Sequence, residues 1–150
     1  MKILIATDGS DYSKAAIEKC CQIIAKPDDT SVKIVSAAQI VTSVATEPLP
    51  FSASYIQEAD TALREQATGY VAEAKETISQ KFPDSNLSVS TQVLDGSAGK
   101  AIVEAAQDWG ADLIVVGSHG YGFWNRMLVG SVSQAVVHHA PCSVLIVRKP

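Results

Sequence analysis

Apolar residues follow two different spacings along this chain, and the two spacings alternate. Short runs rich in Val and Ile predict β-strands, because β-branched side chains fit a pleated and covered surface. The segments between them carry apolar residues at steps of three and four, which predicts helices with one buried face. The predicted strands are Lys2–Thr7, Ser31–Ala38, Leu87–Leu94, Asp112–Gly117 and Cys142–Arg148. The predicted helices run from Ser10 or Asp11 to Ala25, from Tyr55 to Phe82, from Ala98 to Trp109 and from Gly130 to Ala140.

The alternation of strands and helices predicts the α/β class, with an open parallel sheet and helices on both faces. Several strands are apolar throughout, as expected for strands that are covered on both sides. A length of 150 residues suits one domain, so residues 1–150 are expected to form a single domain. One long irregular stretch, Gln39–Ser54, contains two prolines, and connections of this length are often functional.

Polar residues and glycines cluster where three predicted strands end. The ends read Thr7-Asp8-Gly9-Ser10, Ser36-Ala37-Ala38 and Gly117-Ser118-His119-Gly120. In parallel sheets, ligands bind beyond the carboxyl ends of the strands, at the point where the strand order reverses. The strand ends are therefore the expected place for a ligand.

The connection after the fourth strand has the spacing G-x2-G-x9-G-S, formed by Gly117, Gly120, Gly130 and Ser131. Glycine lets a backbone approach a ligand closely, and a helix start offers unpaired N–H groups to an anion. We expect a phosphate chain to lie across Gly120 and the start of the fourth helix, with a sugar or base toward Asp8. Taken singly, each glycine is an ordinary turn residue and the serine an ordinary N-cap. Their convergence on one connection favours the ligand site.

These segments resemble the universal stress protein family. The likeness covers the opening segment Ile3–Ser10, the G-x2-G-x9-G-S spacing followed by Val132-Ser133, and the final segment Ala140–Val147. It implies a Rossmann-like parallel sheet of five strands in the order 3-2-1-4-5. In the subgroup that keeps the glycine spacing, as this chain does, it also implies binding of ATP, with Mg²⁺ or Mn²⁺ brought by the nucleotide.

The resemblance also implies a role for each matching residue. Asp8 is expected to accept hydrogen bonds from ribose hydroxyls, and the backbone of Ala37 is expected to contact adenine. The family more often has His-Val where this chain has Ser36-Ala37. Gly117 and Gly120 are expected near the sugar and phosphates. The expected phosphate-binding residues are Gly130, Ser131, Val132 and Ser133. Arg126 either screens phosphate charge or is a solvated surface residue.

Other motifs in the chain are weaker candidates. Gly96–Ala101 lacks the glycine spacing and the Ser/Thr of a phosphate-binding P-loop, so Ser97 is expected to cap the third helix. Ser118-His119 lacks a nucleophile elbow, and the adjacent His138-His139 pair would point about 100° apart on a helix. We therefore assign no catalytic residue and no metal ligand.

Composition and charge narrow the class of protein. With 47% hydrophobic and 19% charged residues, the chain is expected to be globular rather than disordered. A net charge of −4 repels nucleic acid and anionic membranes. The chain has no apolar run long enough for a bilayer and opens without a secretory cleavage pattern, so we expect a cytoplasmic protein. Its three cysteines are expected to be buried structural thiols.

The last predicted strand, Cys142–Arg148, would leave an apolar sheet edge uncovered. The resemblance implies that this strand pairs with its copy in a homodimer. The interpretation is an ATP-binding universal stress protein, a nucleotide-dependent module of the stress response with a protein client that the sequence does not identify. The alternatives are a slow ATPase or nucleotidyl-transfer enzyme, and a nucleotide-free dimeric interaction module of the same fold.

Overall fold

The computed structural model of the chain describes residues 1–38, 53–120 and 129–149. Strands and helices alternate along these residues, and one short 3₁₀ turn, Pro27–Asp29, follows the first helix. The strands are β1 (Lys2–Ala6), β2 (Ser31–Ala38), β3 (Ser88–Asp95), β4 (Leu113–Gly117) and β5 (Ser143–Val147). The helices are α1 (Asp11–Ile23), α2 (Ala53–Lys81), α3 (Ala98–Trp109) and α4 (Ser131–His139).

The five strands form one parallel sheet in the order β3-β2-β1-β4-β5. The predicted α/β class and strand order are thus confirmed. The chain builds outward from β1 to β3 and then returns to the other side of β1 with β4. The order therefore reverses between β1 and β4, where the connections leave toward opposite faces and open a crevice above the sheet.

Each face of the sheet has its own hydrophobic core. Ile3, Ile5 and Ile34 lie on the face covered by α1 and α2, whereas Leu4 and Val35 lie on the face covered by α3 and α4. Successive side chains of a strand point to opposite faces, so strands covered on both faces are apolar at every position. Full burial of one such side chain contributes about 1.5–3 kcal/mol to the free energy of unfolding.

Helix α1 starts and stops at local signals. The Ser10 hydroxyl accepts a hydrogen bond from the Ser13 N–H at 3.3 Å and so caps its first turn. The helix ends at Ile23, two residues before the predicted Ala25, because Ile24 is already extended. Ser97 occupies the cap position of α3 as predicted, but its side chain makes no capping hydrogen bond.

The cysteines differ in environment. Cys20 is fully buried, and this burial raises the pKa of its thiol to about 12. Cys21 and Cys142 are only half-buried, so the expectation of buried thiols is confirmed for Cys20 alone. Across the described ranges, no three His, Cys, Asp or Glu residues are grouped so that they could hold a metal ion. Within the same ranges, no helix is both long and apolar enough to cross a membrane.

Candidate functional site

A cavity of about 680 Å³ opens above the point where the strand order reverses. It lies at the carboxyl edge of the sheet, which here means the end at which the parallel strands finish; the amino edge is the end at which they start. Its volume falls within the roughly 300–1,000 Å³ typical of small-molecule sites. The ends of β1, β2 and β4 form its floor, and the starts of α3 and α4 form its walls, together with one residue of α2. The lining residues are Ala6, Thr7, Asp8, Ser13, Val35, Ala37, Leu63, Ala98, Ile102, Val116, Gly117, His119, Gly120, Gly130, Ser131, Val132 and Ser133.

The structure brings most of the predicted ligand residues to this one cavity. Eight of them line it: Asp8, Ala37, Gly117, Gly120, Gly130, Ser131, Val132 and Ser133. Arg126 lies outside the described residues, as do residues 39–52 of the long connection. Several lining residues were not predicted, among them Leu63 of α2 and Ala98 and Ile102 of α3. The helical spacing of Leu63 and Ile102 placed them only on the buried faces of their helices.

A tight turn after β1 orients the carboxylate of Asp8. Oδ1 accepts hydrogen bonds from the Ser10 hydroxyl at 2.6 Å and from the Ser10 N–H at 3.1 Å. Gly9, between them, has a φ of +75°, which other residues rarely adopt. A Cβ placed on Gly120 would lie 2.5 Å from Oδ2 of Asp8. The second carboxylate oxygen therefore lies directly against the bare backbone of Gly120.

The end of β2 presents backbone groups to the cavity. The ladder between β1 and β2 reaches Thr7, whose N–H donates to the Val35 carbonyl at 2.9 Å. In a parallel strand, the N–H and C=O of alternate residues face the same neighbour. The backbone groups of Ala37 therefore face the same side as those of Val35, beyond the end of β1. This position suits an in-plane partner such as the edge of a base.

Two short hydrogen bonds fix the start of α4 to the end of β4, and a third fixes the end of β4 to β5. The Ser118 carbonyl accepts from the Gly130 N–H, and the Gly117 carbonyl accepts from the Ser133 hydroxyl, both at 2.7 Å. The Ser118 N–H donates to the Val147 carbonyl of β5 at 2.7 Å. The first turn of α4 is thus held in a fixed place beside the cavity.

The first turn of α4 offers backbone donors. Gly130 is its N-cap and supplies no side chain, and the N–H groups of a helix's first turn have no partner within the helix. Together with the helix dipole, they favour an anion. The hydroxyl of Ser133 already donates its proton to Gly117, so its backbone N–H is the donor that it can offer to a ligand. Ser131 is exposed and retains its hydroxyl as a further donor.

Gly117 lines the cavity, and the packing of α1 also requires glycine at this position. A Cβ on this residue would lie 2.7 Å from the carbonyl carbon and 2.8 Å from the carbonyl oxygen of Tyr12, in the first turn of α1. Backbone atoms in a helix cannot easily give way. The glycine therefore allows α1 to lie directly against the end of β4.

Among the described residues of the lining, none is Lys or Arg, and only Asp8 and His119 carry ionisable side chains. The groups there that favour an anion are therefore the backbone N–H groups at helix starts, such as that of α4. The His119 ring lies 5.1 Å from the Tyr12 ring, and its Nδ1 lies 3.1 Å from the Ser118 hydroxyl. The neighbours Ser118 and His119 thus do contact each other, but Ser118 is only 1% exposed and cannot act as a nucleophile on a bound substrate.

The arrangement suits the binding of a small molecule with an anionic end. It combines an apolar wall, one oriented carboxylate, a strand-end backbone and a helix N-terminus around one cavity. The apolar wall and the strand-end backbone would suit a base, the carboxylate a sugar, and the helix N-terminus an anionic tail.

Comparisons with known proteins agree with this architecture. The model of the universal stress protein family matches residues 1–148. Universal stress protein MJ0531 of Methanocaldococcus jannaschii is 34% identical over 149 residues, which are 99% of this chain and 82% of that protein.

Two solved structures share the fold. A universal stress protein in complex with cAMP superposes with a TM-score of 0.67 at 24% identity, over 98% of this chain and 96% of that one. A universal stress protein family member from Arabidopsis thaliana with AMP bound has a TM-score of 0.63 at 17% identity, over 100% of this chain and 92% of that one. Together with the matched family model, the 34% identity over almost the whole chain shows that this chain belongs to the universal stress protein family.

Proposed function

We propose that this chain binds ATP in the cavity at the carboxyl edge of the sheet and works as a nucleotide-dependent regulatory module. The observation that carries the proposal is the meeting of three groups around one cavity: the Asp8 carboxylate, the Ala37 backbone and the first turn of α4. Each suits a different part of a nucleotide. A nucleotide is a common small molecule whose base, sugar and phosphates together use all three groups.

In this proposal the backbone N–H and C=O of Ala37 pair with the edge of adenine, and Asp8 accepts hydrogen bonds from the ribose hydroxyls. The N–H groups of Ser131, Val132 and Ser133 bind the phosphates. A divalent cation, Mg²⁺ or Mn²⁺, would arrive with the nucleotide and neutralise part of the phosphate charge.

One feature supports an adenine nucleotide and another supports a chain of phosphates. Two neighbours with the same fold carry adenine nucleotides, cAMP in one and AMP in the other. In this chain, the lining continues from Asp8 past Gly120 to Gly130 and the start of α4. Bare backbone along that path leaves room for more than one phosphate.

Isothermal titration of the purified protein with MgATP tests the proposal. We expect saturable heat with one site per chain. Absence of saturation at millimolar nucleotide would rule the proposal out.

The variant Gly130→Val tests where the phosphates bind. A Cβ on Gly130 would already lie 3.3 Å from the Ser118 carbonyl oxygen and 3.4 Å from the His119 Cα, so a larger side chain must displace the backbone where α4 begins. We expect loss of ATP affinity with a native circular dichroism spectrum. Gly69→Val is the matched control, since nothing lies within 4 Å of a Cβ there. Equal ATP affinity of the Gly130 variant and the wild type would contradict the phosphate assignment.

We also propose that β5 pairs with β5 of a second copy to form a homodimer. The strand is at the edge of the sheet, and its residues Val144, Leu145 and Ile146 are only partly covered. An apolar edge of this kind is normally paired or shielded. Leu145→Pro should give monomers by light scattering if the variant keeps its circular dichroism spectrum, whereas a folded dimeric variant would refute this contact.

A further inference from the structure

We propose that Tyr70 of α2 is a positioning residue, which holds the carboxylate of Asp8 in place by packing against Gly9. The inference rests on the proposed function, because it assigns Asp8 the ribose of a bound nucleotide. Tyr70 does not line the nucleotide cavity and acts only through the turn.

The contact between Tyr70 and Gly9 is unusually close to the backbone. A Cβ placed on Gly9 would overlap ring atoms Cδ1 and Cε1 of Tyr70. The ring thus occupies the space that a side chain at position 9 would fill. Gly9 also has the positive φ that only glycine adopts freely, so two independent features require glycine here.

The turn that Tyr70 supports is the turn that orients Asp8. The Ser10 N–H and hydroxyl both donate to Oδ1 of Asp8, and the Gly9 N–H donates to the Thr7 hydroxyl at 3.3 Å. Glycine has more backbone freedom than any other residue. Without a wall at Gly9, the turn would sample other conformations, and Oδ2 of Asp8 would leave its place beside Gly120.

Tyr70 is itself held in a fixed position. Its hydroxyl oxygen accepts a hydrogen bond from the Gln66 side chain at 2.6 Å, one helical turn earlier. The next residue, Val71, is buried in the core between α2 and the sheet. The ring lines a smaller pocket of about 110 Å³ together with Gly9 and the Lys14–Glu73 ion pair.

A positioning role and a purely structural role can be told apart by the part of the ligand whose binding is weakened. Loss of general stability, or of the cavity shape, would weaken all nucleotides alike. Displacement of Asp8 would weaken only nucleotides that carry ribose hydroxyls. The comparison of ATP with 2′,3′-dideoxy-ATP therefore isolates the Asp8 contact.

The test measures both nucleotides by titration on the wild type and on Tyr70→Ala. We expect the wild type to bind ATP more tightly than dideoxy-ATP, and the variant to lose about ten-fold in ATP affinity, the size of one lost hydrogen bond to a charged group. Dideoxy-ATP affinity should stay within about two-fold. Tyr70→Phe keeps the ring against Gly9 and loses only the hydrogen bond from Gln66, so it should lose far less ATP affinity than Tyr70→Ala. Val71→Ala, a buried truncation one position along, is the matched control and should keep the discrimination.

A second readout does not need a nucleotide. Amide exchange at the Ser10 N–H, which donates to Asp8, should be faster in ligand-free Tyr70→Ala than in the wild type or Val71→Ala. If Tyr70→Ala does not fold, Tyr70→Leu keeps apolar bulk without the flat ring and takes its place. Equal weakening of both nucleotides, or unchanged exchange at Ser10, would overturn the inference. A wild type that binds no ATP but shows the exchange difference would overturn the proposed function alone.

Discussion

The amino and carboxyl edges of the sheet differ in how far their polar groups are paired within the protein. At the amino edge, side chains and backbone pair with one another: the Lys2 N–H donates to the Asp112 carboxylate at 2.7 Å, and the Lys2 ammonium donates to the Trp109 carbonyl at 3.0 Å. The ammonium of Lys33 lies 5.1 Å from the centre of the Trp109 ring. At the carboxyl edge, glycine turns and a helix start surround a cavity of about 680 Å³.

The difference follows from the direction of the chain in a parallel sheet. Every strand leaves the sheet at the carboxyl edge, and the helix that follows it begins there, so unpaired N–H groups gather at that edge. At the amino edge the helices end, and cationic side chains such as Lys2 can satisfy the last carbonyls. One edge therefore has its polar groups paired within the fold, and the other offers unpaired N–H groups that suit an anionic ligand.

The largest expected effect is at Gly117, where the carboxyl edge also carries part of the fold. Gly117→Val should lower the free energy of unfolding by about 3 kcal/mol, because the added side chain meets the backbone of α1. Denaturant unfolding measures it. Gly69→Val, in open space on α2, should change stability far less. A Gly117 variant as stable as the wild type would show that α1 can shift away from β4.

The next effect concerns binding at the same edge without loss of stability. Asp8→Asn keeps the size of the side chain but removes its charge and one acceptor. We expect the free energy of ATP binding to weaken by about 2 kcal/mol, roughly thirty-fold in Kd, with the unfolding free energy nearly unchanged. Titration calorimetry and denaturant unfolding measure the two quantities. An unchanged Kd would remove Asp8 from the site.

At the amino edge we expect the reverse pattern, a small loss of stability with no change in ATP affinity. Lys33→Met keeps the apolar stem but removes the ammonium over Trp109, which should cost about 0.5–1 kcal/mol of stability. The Kd for ATP should stay that of the wild type, because the change is at the other end of the strand. A loss of ATP affinity in this variant would break the division between the two edges.

The smallest effect is a shift in the pKa of Asp11, the first residue of α1. The Lys149 ammonium, 2.6 Å from Asp11, holds the pKa of that carboxyl below its ordinary value of 3.8. The pair therefore contributes stability above that pH, and the contribution is lost as the pH falls through the lowered pKa. NMR titration of Lys149→Met should show the Asp11 pKa rising toward 3.8. Lys14→Met, a weaker influence on the same carboxyl, should raise it less.

The sequence predicted the sheet because its strands are covered on both faces and so are apolar at successive positions, as in Ile3-Leu4-Ile5. It also predicted that residues in the turns after the strands, such as Asp8 and Gly120, lie together at one cavity, since parallel strands bring their carboxyl ends together. These contacts depend on the order of the chain alone.

The contributions of α2 were not predicted, because they depend on how a long helix lies across the sheet. Leu63 and Tyr70 follow the same helical spacing as core residues such as Val71, yet one lines the cavity and the other packs on Gly9. The sequence also did not predict the acceptor of the Ser133 hydroxyl, because the Gly117 carbonyl is 16 residues away.

The central claim is that backbone N–H groups at the carboxyl edge bind the phosphates, and amide chemical shifts measure it directly. On addition of MgATP, the largest saturable shifts should be those of Gly120 and of Gly130 to Ser133. The indole N–H of Trp109 at the amino edge should not move. Saturable shifts confined to other residues, or no saturation at millimolar MgATP, would contradict the claim.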